Sequence, residues 1–113
     1  MKQNYLIKNS GNKIQIFFSG DIDDSICPVY RKEISEYIKN NKAKDYIFDF
    51  TDVSFIDSSG IGFIIGRYNQ LKGYHKKLYL SGVSNQLRKL FKISGLYTLI
   101  SEIETAKVGD HYE

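Results

Sequence analysis

The stretch FIDSSGIG, residues 55–62, decides how this chain is interpreted. An apolar pair leads into Asp57, Ser58 and Ser59, and the following segment, FIIGRYNQLK, has the apolar spacing of an amphipathic helix. The pattern therefore predicts a strand that ends near Ile56 and a helix over residues 58–72. A carboxylate and two hydroxyls then stand at a helix N-terminus, where unpaired backbone N–H groups carry a partial positive charge.

The chain before this stretch predicts two strands, a helix and a third strand. The strand patterns cover residues 4–10, 13–19 and 45–50. Residues 20–25 form a polar loop, and Asp24 or Ser25 is expected to cap the first helix, with Pro28 in its first turn. Residues 52–54 are expected to be a short connection.

The chain after this stretch predicts a strand, a helix and a last short strand. We expect strands over residues 77–82 and 97–101, and between them a helix capped by Ser84 and closed by Gly95. The residues expected on its inward face are Leu87, Leu90, Phe91 and Ile93. Residues 102–113 have little apolar face and are expected to fray or to form only a short helix.

The order of these elements predicts an α/β fold. Helices alternate with strands after residue 20, which indicates parallel strands joined by right-handed crossovers, whereas the tight N-terminal hairpin makes the first strand antiparallel. We expect one domain over residues 1–113, with a mixed, mainly parallel sheet of four to five strands and helices packed on it. Gly62 and Gly66, four residues apart, are expected to let the second helix lie close to the sheet.

Composition excludes several classes of protein. No apolar run approaches the roughly 20 residues of a membrane span, and the N-terminus has no apolar core of a secretory signal, so we expect a cytoplasmic protein. Cys27 is the only cysteine, which leaves no disulfide framework and no cysteine-based metal site. The net charge of +3 does not demand nucleic acid. Basic residues nevertheless outnumber acids after residue 57, which suggests either a polarised surface or solvated faces of separate helices.

Two acidic loops are expected at the carboxyl edge of the parallel strands, where ligands usually bind. One carries Asp21, Asp23 and Asp24, and the other carries Asp57 with its two serines. Four interpretations fit. Ser58 is only a helix cap; the loop binds a phosphate; the loops perform phosphoryl transfer with Mg²⁺; or a serine accepts phosphate from a separate kinase. A serine hydrolase is disfavoured, because neither histidine has a motif around it.

Four segments carry a resemblance to a known family. They are GDID at residues 20–23, FIDSSGIG at 55–62, GRY at 66–68 and LFKISGL at 90–96. In this order they closely resemble the anti-sigma factor antagonists of the STAS domain family, most of all its sporulation members. The likeness covers about residues 4–100, and it favours the fourth interpretation.

The resemblance implies a switch controlled by phosphorylation, and not an enzyme. Ser58 would be phosphorylated by an anti-sigma factor that is also a serine kinase, and a PP2C-type phosphatase would restore it. The unphosphorylated form would bind the kinase and release its sigma factor. The resemblance implies that the protein has no catalytic residue, no cofactor and no metal, and that it binds neither nucleic acid nor a membrane. It also implies that the protein is a monomer. The alternatives are a STAS module in another pathway, such as stress signalling, and a small phosphatase-like enzyme.

The resemblance also supplies supporting residues for Ser58. Those expected to shape the site or to contact the partner are Asp21, Asp23, Asp57, Ser59, Gly60, Ile61, Gly62 and Arg67. For Asp23 two roles are open. Its carboxylate orients the Ser58 hydroxyl, or it only caps the first helix; we favour the orienting role, since Asp24 and Ser25 are better placed as caps.

Overall fold

A computed structural model describes residues 4–104, which form a five-stranded sheet and three α-helices. The strands are β1 (Tyr5–Ser10), β2 (Lys13–Ile22), β3 (Asp45–Ile56), β4 (Leu78–Ser81) and β5 (Ser101–Glu102). The helices are α1 (Cys27–Asn40), α2 (Ser58–Gly73) and α3 (Asn85–Ile93), and a short 3₁₀ helix spans Leu96–Thr98. The predicted α/β class is confirmed.

The strands lie in the sheet in the order in which they occur in the chain. β1 pairs antiparallel with β2, and every later pair is parallel. Each crossover therefore moves one strand in the same direction, and right-handed crossovers then place all three helices on one face. Aromatic contacts show this face directly: Phe18 packs on Tyr30 of α1 and Phe63 of α2, and Phe50 packs on Phe91 of α3.

Strands β2 and β3 are longer than the sequence predicted. Residues 20–22, predicted as loop, end β2, and residues 52–54, predicted as a connection, lie inside β3. The reason is that these two segments pair with each other, as Gly20 does with Val53 and Ile22 with Ile56, across two shifts of register. Each polar segment alone resembles a loop, and only the pairing makes it a strand.

The predicted caps of α1 are wrong, and the predicted cap of α3 is confirmed. α1 begins at Cys27 after Ile26, which makes no side-chain capping bond, and Pro28 lies in the first turn as expected. The backbone carbonyl of Asp23 accepts hydrogen bonds from the N–H groups of Ile26 and Cys27 at 3.2 and 3.0 Å, so the start of this helix is held by main chain. In α3, Ser84 Oγ accepts from Leu87 N at 3.2 Å.

Two predictions for the C-terminal part are also wrong. Ile93, expected to face inward, is 86% exposed, because α3 ends there and the chain turns at Gly95, whose φ is +79°. Leu96, just after that turn, is fully buried and fills the next core position. The predicted strand 97–101 is mostly the 3₁₀ helix, and β5 has only two residues. Residues 105–113, included in the expected frayed end or short helix, lie outside the described residues.

The close approach of α2 to the sheet occurs at a different glycine from those predicted. A Cβ added at Gly60 would lie 2.5 Å from Ile56 Cγ2 and 3.0 Å from the Ile22 carbonyl oxygen. At Gly62 and Gly66 an added Cβ would meet nothing within 4 Å. The prediction for these two was wrong, because α2 turns them away from the sheet.

Candidate functional site

The candidate site lies where β2 and β3 end side by side. Asp57 N donates to the Ile22 carbonyl oxygen at 3.2 Å, so the turn into α2 is attached to the last residue of β2. The acidic loop that follows β2 therefore stands beside the first turn of α2. The two loops expected to meet at this edge of the sheet do meet there.

Asp57, and not Ser58, is the N-cap of α2. Its Oδ1 accepts hydrogen bonds from Ser59 N at 2.8 Å and from Gly60 N at 3.2 Å. Ser58 is the first residue of the helix and is exposed, and no hydrogen bond within residues 4–104 engages its hydroxyl. The interpretation of Ser58 as a structural cap is therefore wrong, and its hydroxyl is open to another molecule.

The capping carboxylate also argues against a phosphate-binding loop. An anion held at a helix N-terminus needs backbone N–H groups that point outward and are unpaired. The N–H groups of Ser59 and Gly60 are already bonded to Asp57, whose negative charge would repel a second anion. Residues 4–104 also hold no group of three or more histidine, cysteine, aspartate or glutamate side chains suited to a metal ion.

The carboxylate of Asp23 bonds to its own loop. Its Oδ1 accepts from Ser25 Oγ at 2.7 Å and from Ser25 N at 3.1 Å, and the hydroxyl bond is the main cause that lowers the pKa of Asp23. No hydrogen bond in the described part of the chain joins Asp23 to Ser58. The structure thus places Asp23 at the predicted carboxyl edge of the sheet, but its carboxylate is hydrogen-bonded to Ser25.

The environment of Cys27 shows how closely the acids gather. Burial raises the pKa of the Cys27 thiol, the charge of Asp57 raises it further, Arg31 opposes this, and Asp23 and Asp24 add to the rise. The thiol is fully buried. It therefore acts as a small packed side chain of the core.

Several predicted residues share the exposed surface around Ser58. Asp21 and Gly62 are exposed, and Ser59 and Ile61 are half-buried. Gly62 lies one turn after Ser58 on the same helix face. Sequence reasoning missed Phe55, which is 48% exposed and pairs with Asp21 across the sheet. The sequence feature that could have indicated its exposure is its position between Val53 and Ile56, the two residues that are buried at this end of the strand.

Arg67 is the predicted site residue that the structure does not bring to Ser58. Nine residues separate them on α2, which is two and a half turns, or about 14 Å along the axis and on the opposite side. Helices α1 and α2 contact each other on that side, since Gln70 Nε2 of α2 donates to the Ser35 carbonyl oxygen of α1 at 2.9 Å.

The fold and the site define a class: a small α/β domain that presents one exposed serine at the junction of its central strand and helix. The sequence pattern of the STAS domain matches residues 5–110. The chain belongs to the STAS domain family. No helix formed by residues 4–104 has the length and apolar character that a membrane crossing requires.

The similarity to proteins of known sequence or structure agrees with this family assignment. The chain is 34% identical over 90 residues to the anti-sigma-B factor antagonist of Listeria monocytogenes, covering 77% of this chain and 75% of that protein. It is 32% identical over 100 residues to the anti-sigma-B factor antagonist of Bacillus subtilis, covering 88% and 90%. The phosphorylated form of the Bacillus cell fate determinant SpoIIAA superposes with a TM-score of 0.70 at 27% identity, covering 91% and 92%.

Proposed function

We propose that this protein is an anti-sigma factor antagonist whose binding is switched off by phosphorylation of Ser58. In the cytoplasm, its unphosphorylated form binds an anti-sigma factor kinase and releases the sigma factor, and a PP2C-type phosphatase reverses the modification. The observation that carries the proposal is the exposed Ser58 hydroxyl beside a cap that Asp57 alone provides. Phosphate can be added there without breaking a bond of the fold. The names of the relatives support the same role.

The electrostatics of the site explain how one phosphate would act. Phosphorylation adds a charge of about −1.5 to −2. A helix N-terminus usually stabilises such a charge, but here Asp57 occupies two N–H groups of the first turn, and Asp23 directly follows Ile22, whose carbonyl oxygen accepts from Asp57 N. The phosphate would therefore point outward into the partner surface. A loss of about 3 kcal/mol of binding free energy would weaken the affinity roughly a hundredfold, with no change of fold.

Two pathways are candidates for this switch. The sequence motifs favour a sporulation pathway. The second candidate is a pathway outside sporulation, such as stress signalling. A specific observation favours it, because the two sequence relatives described above are anti-sigma-B factor antagonists. Titration of the protein against the purified anti-sigma factor of each pathway distinguishes them, since a hundredfold tighter complex identifies the partner. Equal affinity for both would mean that neither pathway is selected by this chain alone.

The proposed acceptor is tested by phosphate incorporation with kinase and ATP. Ser58→Ala should abolish it and leave the melting temperature unchanged, since the hydroxyl makes no hydrogen bond within residues 4–104. Ser59→Ala is the matched control and should still accept one phosphate. Ser58→Asp should bind the kinase more weakly than wild type, but less weakly than the true phosphoprotein, which carries more charge. A phosphate mapped to Ser59 in wild type would overturn the assignment.

A further inference from the structure

The chain that enters β4 is basic, and it lies at the edge of the sheet opposite the acidic candidate site. Lys72 lies in the last turn of α2, and His75, Lys76 and Lys77 lie in the connection from that helix to β4. Ser58 begins the same helix, so Lys72 is about 21 Å from it along the axis. These four basic residues therefore belong to a separate surface, and the charge of the molecule is polarised between the two edges.

The four basic residues line an open cleft beside the start of β4. The cleft has a volume of about 480 Å³, which is room for a short segment of chain, and none of the aspartates and glutamates among residues 4–104 lines it. Its apolar wall includes Leu99, which is 45% exposed. The other residues of that wall are Tyr68, Leu78 and Tyr79. The cleft thus combines an accessible apolar surface with a basic rim.

The ammonium groups of the cleft have no carboxylate partner in the described part of the chain. No salt bridge within residues 4–104 engages Lys72, Lys76 or Lys77. Lys72 Nζ lies 6.0 Å from the centre of the Tyr68 ring, a weak cation–π contact on the surface. The carboxylate of Asp45, at the start of β3, accepts a hydrogen bond from the main-chain N–H of Lys77 at 2.9 Å. The positive charge of the rim is therefore available to an anionic ligand.

His75 has a backbone conformation that favours glycine. Its φ is +62°, and it is the only non-glycine residue with a positive φ among residues 4–104. It closes α2 in a Schellman motif: His75 N donates to the Lys72 carbonyl oxygen at 3.0 Å, and Lys76 N donates to the Leu71 carbonyl oxygen at 2.9 Å. Glycine is usual at this position because a side chain there is strained. Here the position holds an exposed histidine on the wall of the cleft, and strained residues gather at binding sites.

We propose that this cleft binds a short, extended segment of another protein that is rich in aspartate and glutamate and carries an apolar side chain. The carboxylates pair with the unpartnered lysines, and the apolar side chain covers Leu99. His75 is kept in place of glycine because its side chain contributes to this site. The inference goes beyond the proposed function, because a site at the edge opposite Ser58 needs neither the kinase nor phosphorylation.

The surroundings of the cleft favour the carboxylates of a polypeptide over a phosphate. No arginine of residues 4–104 lines it. The helix end beside it is the C-terminus of α2, whose partial negative charge repels a compact anion with several charges. Single charges spaced along a chain match lysines that come from a helix and a loop. In addition, β5 pairs only with Tyr79 and Leu80, so Leu78 of β4 has no strand partner on that side within residues 4–104. Such a sheet edge suits an extended polypeptide.

The test uses a capped octapeptide of alternating glutamate and leucine as the probe, titrated into the full chain. Its control peptide has glutamine in place of every glutamate. We expect the acidic peptide to bind at least tenfold more tightly than the control, and the difference to shrink as salt is added. The double variant Lys72→Gln/Lys77→Gln should bind the acidic peptide at least tenfold more weakly than wild type. The matched control, Lys8→Gln/Lys32→Gln, removes the same charge from exposed positions on β1 and α1, and its affinity should fall less than threefold.

A second arm, His75→Gly, separates binding from folding. Glycine relieves the left-handed conformation, so the melting temperature should rise, whereas the affinity for the acidic peptide should fall at least threefold. An affinity equal to that of wild type in this variant would overturn the inference. So would equal binding of the two peptides by wild type, or a Lys72→Gln/Lys77→Gln variant that binds as tightly as wild type. Tripolyphosphate or a single-stranded oligonucleotide that binds the cleft more tightly than the peptide would contradict the assigned class of ligand. None of these results depends on the kinase, so the proposed function is tested separately.

Discussion

At the scale of single residues, Asp57 and Ser58 divide two tasks that the sequence places side by side. Asp57 satisfies the first turn of α2 through its carboxylate, and Ser58 contributes only an exposed hydroxyl. Because the structural task lies with Asp57, the hydroxyl can be modified without loss of the cap. We expect the neighbouring Ser59 to be a poorer phosphate acceptor, because its side chain is half-buried whereas that of Ser58 is exposed.

The role of Asp23 is tested at this scale by Asp23→Asn. The amide oxygen can accept both hydrogen bonds from Ser25, so the loop and the melting temperature should change little. If the negative charge acts on Ser58 during transfer, phosphorylation should slow at least tenfold, about 1.4 kcal/mol at the transition state. Asp24→Asn removes an equal charge from the next residue and serves as the control. A normal rate of phosphate transfer in Asp23→Asn would leave Asp23 with a role in the loop only.

At the scale of elements, α2 joins the core to the candidate site, and its glycines have different tasks. Gly60 faces the ends of β2 and β3, where the backbone of the helix nearly touches Ile56 and Ile22. Gly62 is exposed, one turn from Ser58, where we expect its missing side chain to leave the backbone accessible to a partner. The spacing of glycines in the sequence does not distinguish these tasks; the rotation of the helix on the sheet does.

Alanine at Gly60 and at Gly62 should therefore change stability in opposite directions. Gly60→Ala would force α2 away from Ile56, and we expect a loss of about 1–3 kcal/mol in the free energy of unfolding. Gly62→Ala meets no neighbour and should add up to about 1 kcal/mol through helix propensity. Urea unfolding measures both variants. We also expect Gly62→Ala to bind the kinase more weakly, because the methyl group enters the partner surface. Equal stability of the two variants would contradict the packing seen at Gly60.

At the scale of the whole molecule, buried tyrosines connect the strands and helices to one another. Tyr30 on α1 is fully buried, packs on Phe18 of β2 and donates its hydroxyl to the Asn4 carbonyl oxygen at 3.2 Å. Tyr46 on β3 donates to the Asn41 carbonyl oxygen beyond α1 at 2.7 Å. Burial raises the pKa of both hydroxyls, that of Tyr30 to about 12. The fold therefore depends on these phenols remaining neutral.

This dependence predicts a loss of stability in alkali. The unfolded chain releases the Tyr30 proton near pH 10, its ordinary value, whereas the folded protein holds it to about 12. The contribution of the neutral Tyr30 hydroxyl to the free energy of unfolding is complete below pH 10 and is lost as the pH rises to about 12. Its size is on the order of 2 kcal/mol for this residue. Urea unfolding at several pH values measures it. Tyr30→Phe should be less stable at neutral pH by about 1 kcal/mol but should lose less in alkali. An alkaline slope identical to that of wild type would contradict the assignment.

The sequence by itself determined the elements and the motif. Apolar periodicity is a local property, so the hairpin, the alternation of helix and strand, the start of α2 at Ser58 and the Ser84 cap could be read from neighbouring residues. The Asp57–Ser58–Ser59 motif could be read in the same way, together with the edge of the sheet that holds it.

Only the tertiary structure decided which residues at that edge pack against the sheet and which are exposed. Pairing between β2 and β3 converted polar segments into strand, and the rotation of α2 chose Gly60 for the sheet and exposed Gly62. The same rotation buried Nε and Nη1 of Arg67, which have no hydrogen-bond partner among residues 4–104. These outcomes depend on the register and angle at which distant segments pack. A pattern of neighbouring residues contains neither quantity, because both are set by contacts between residues far apart in the chain.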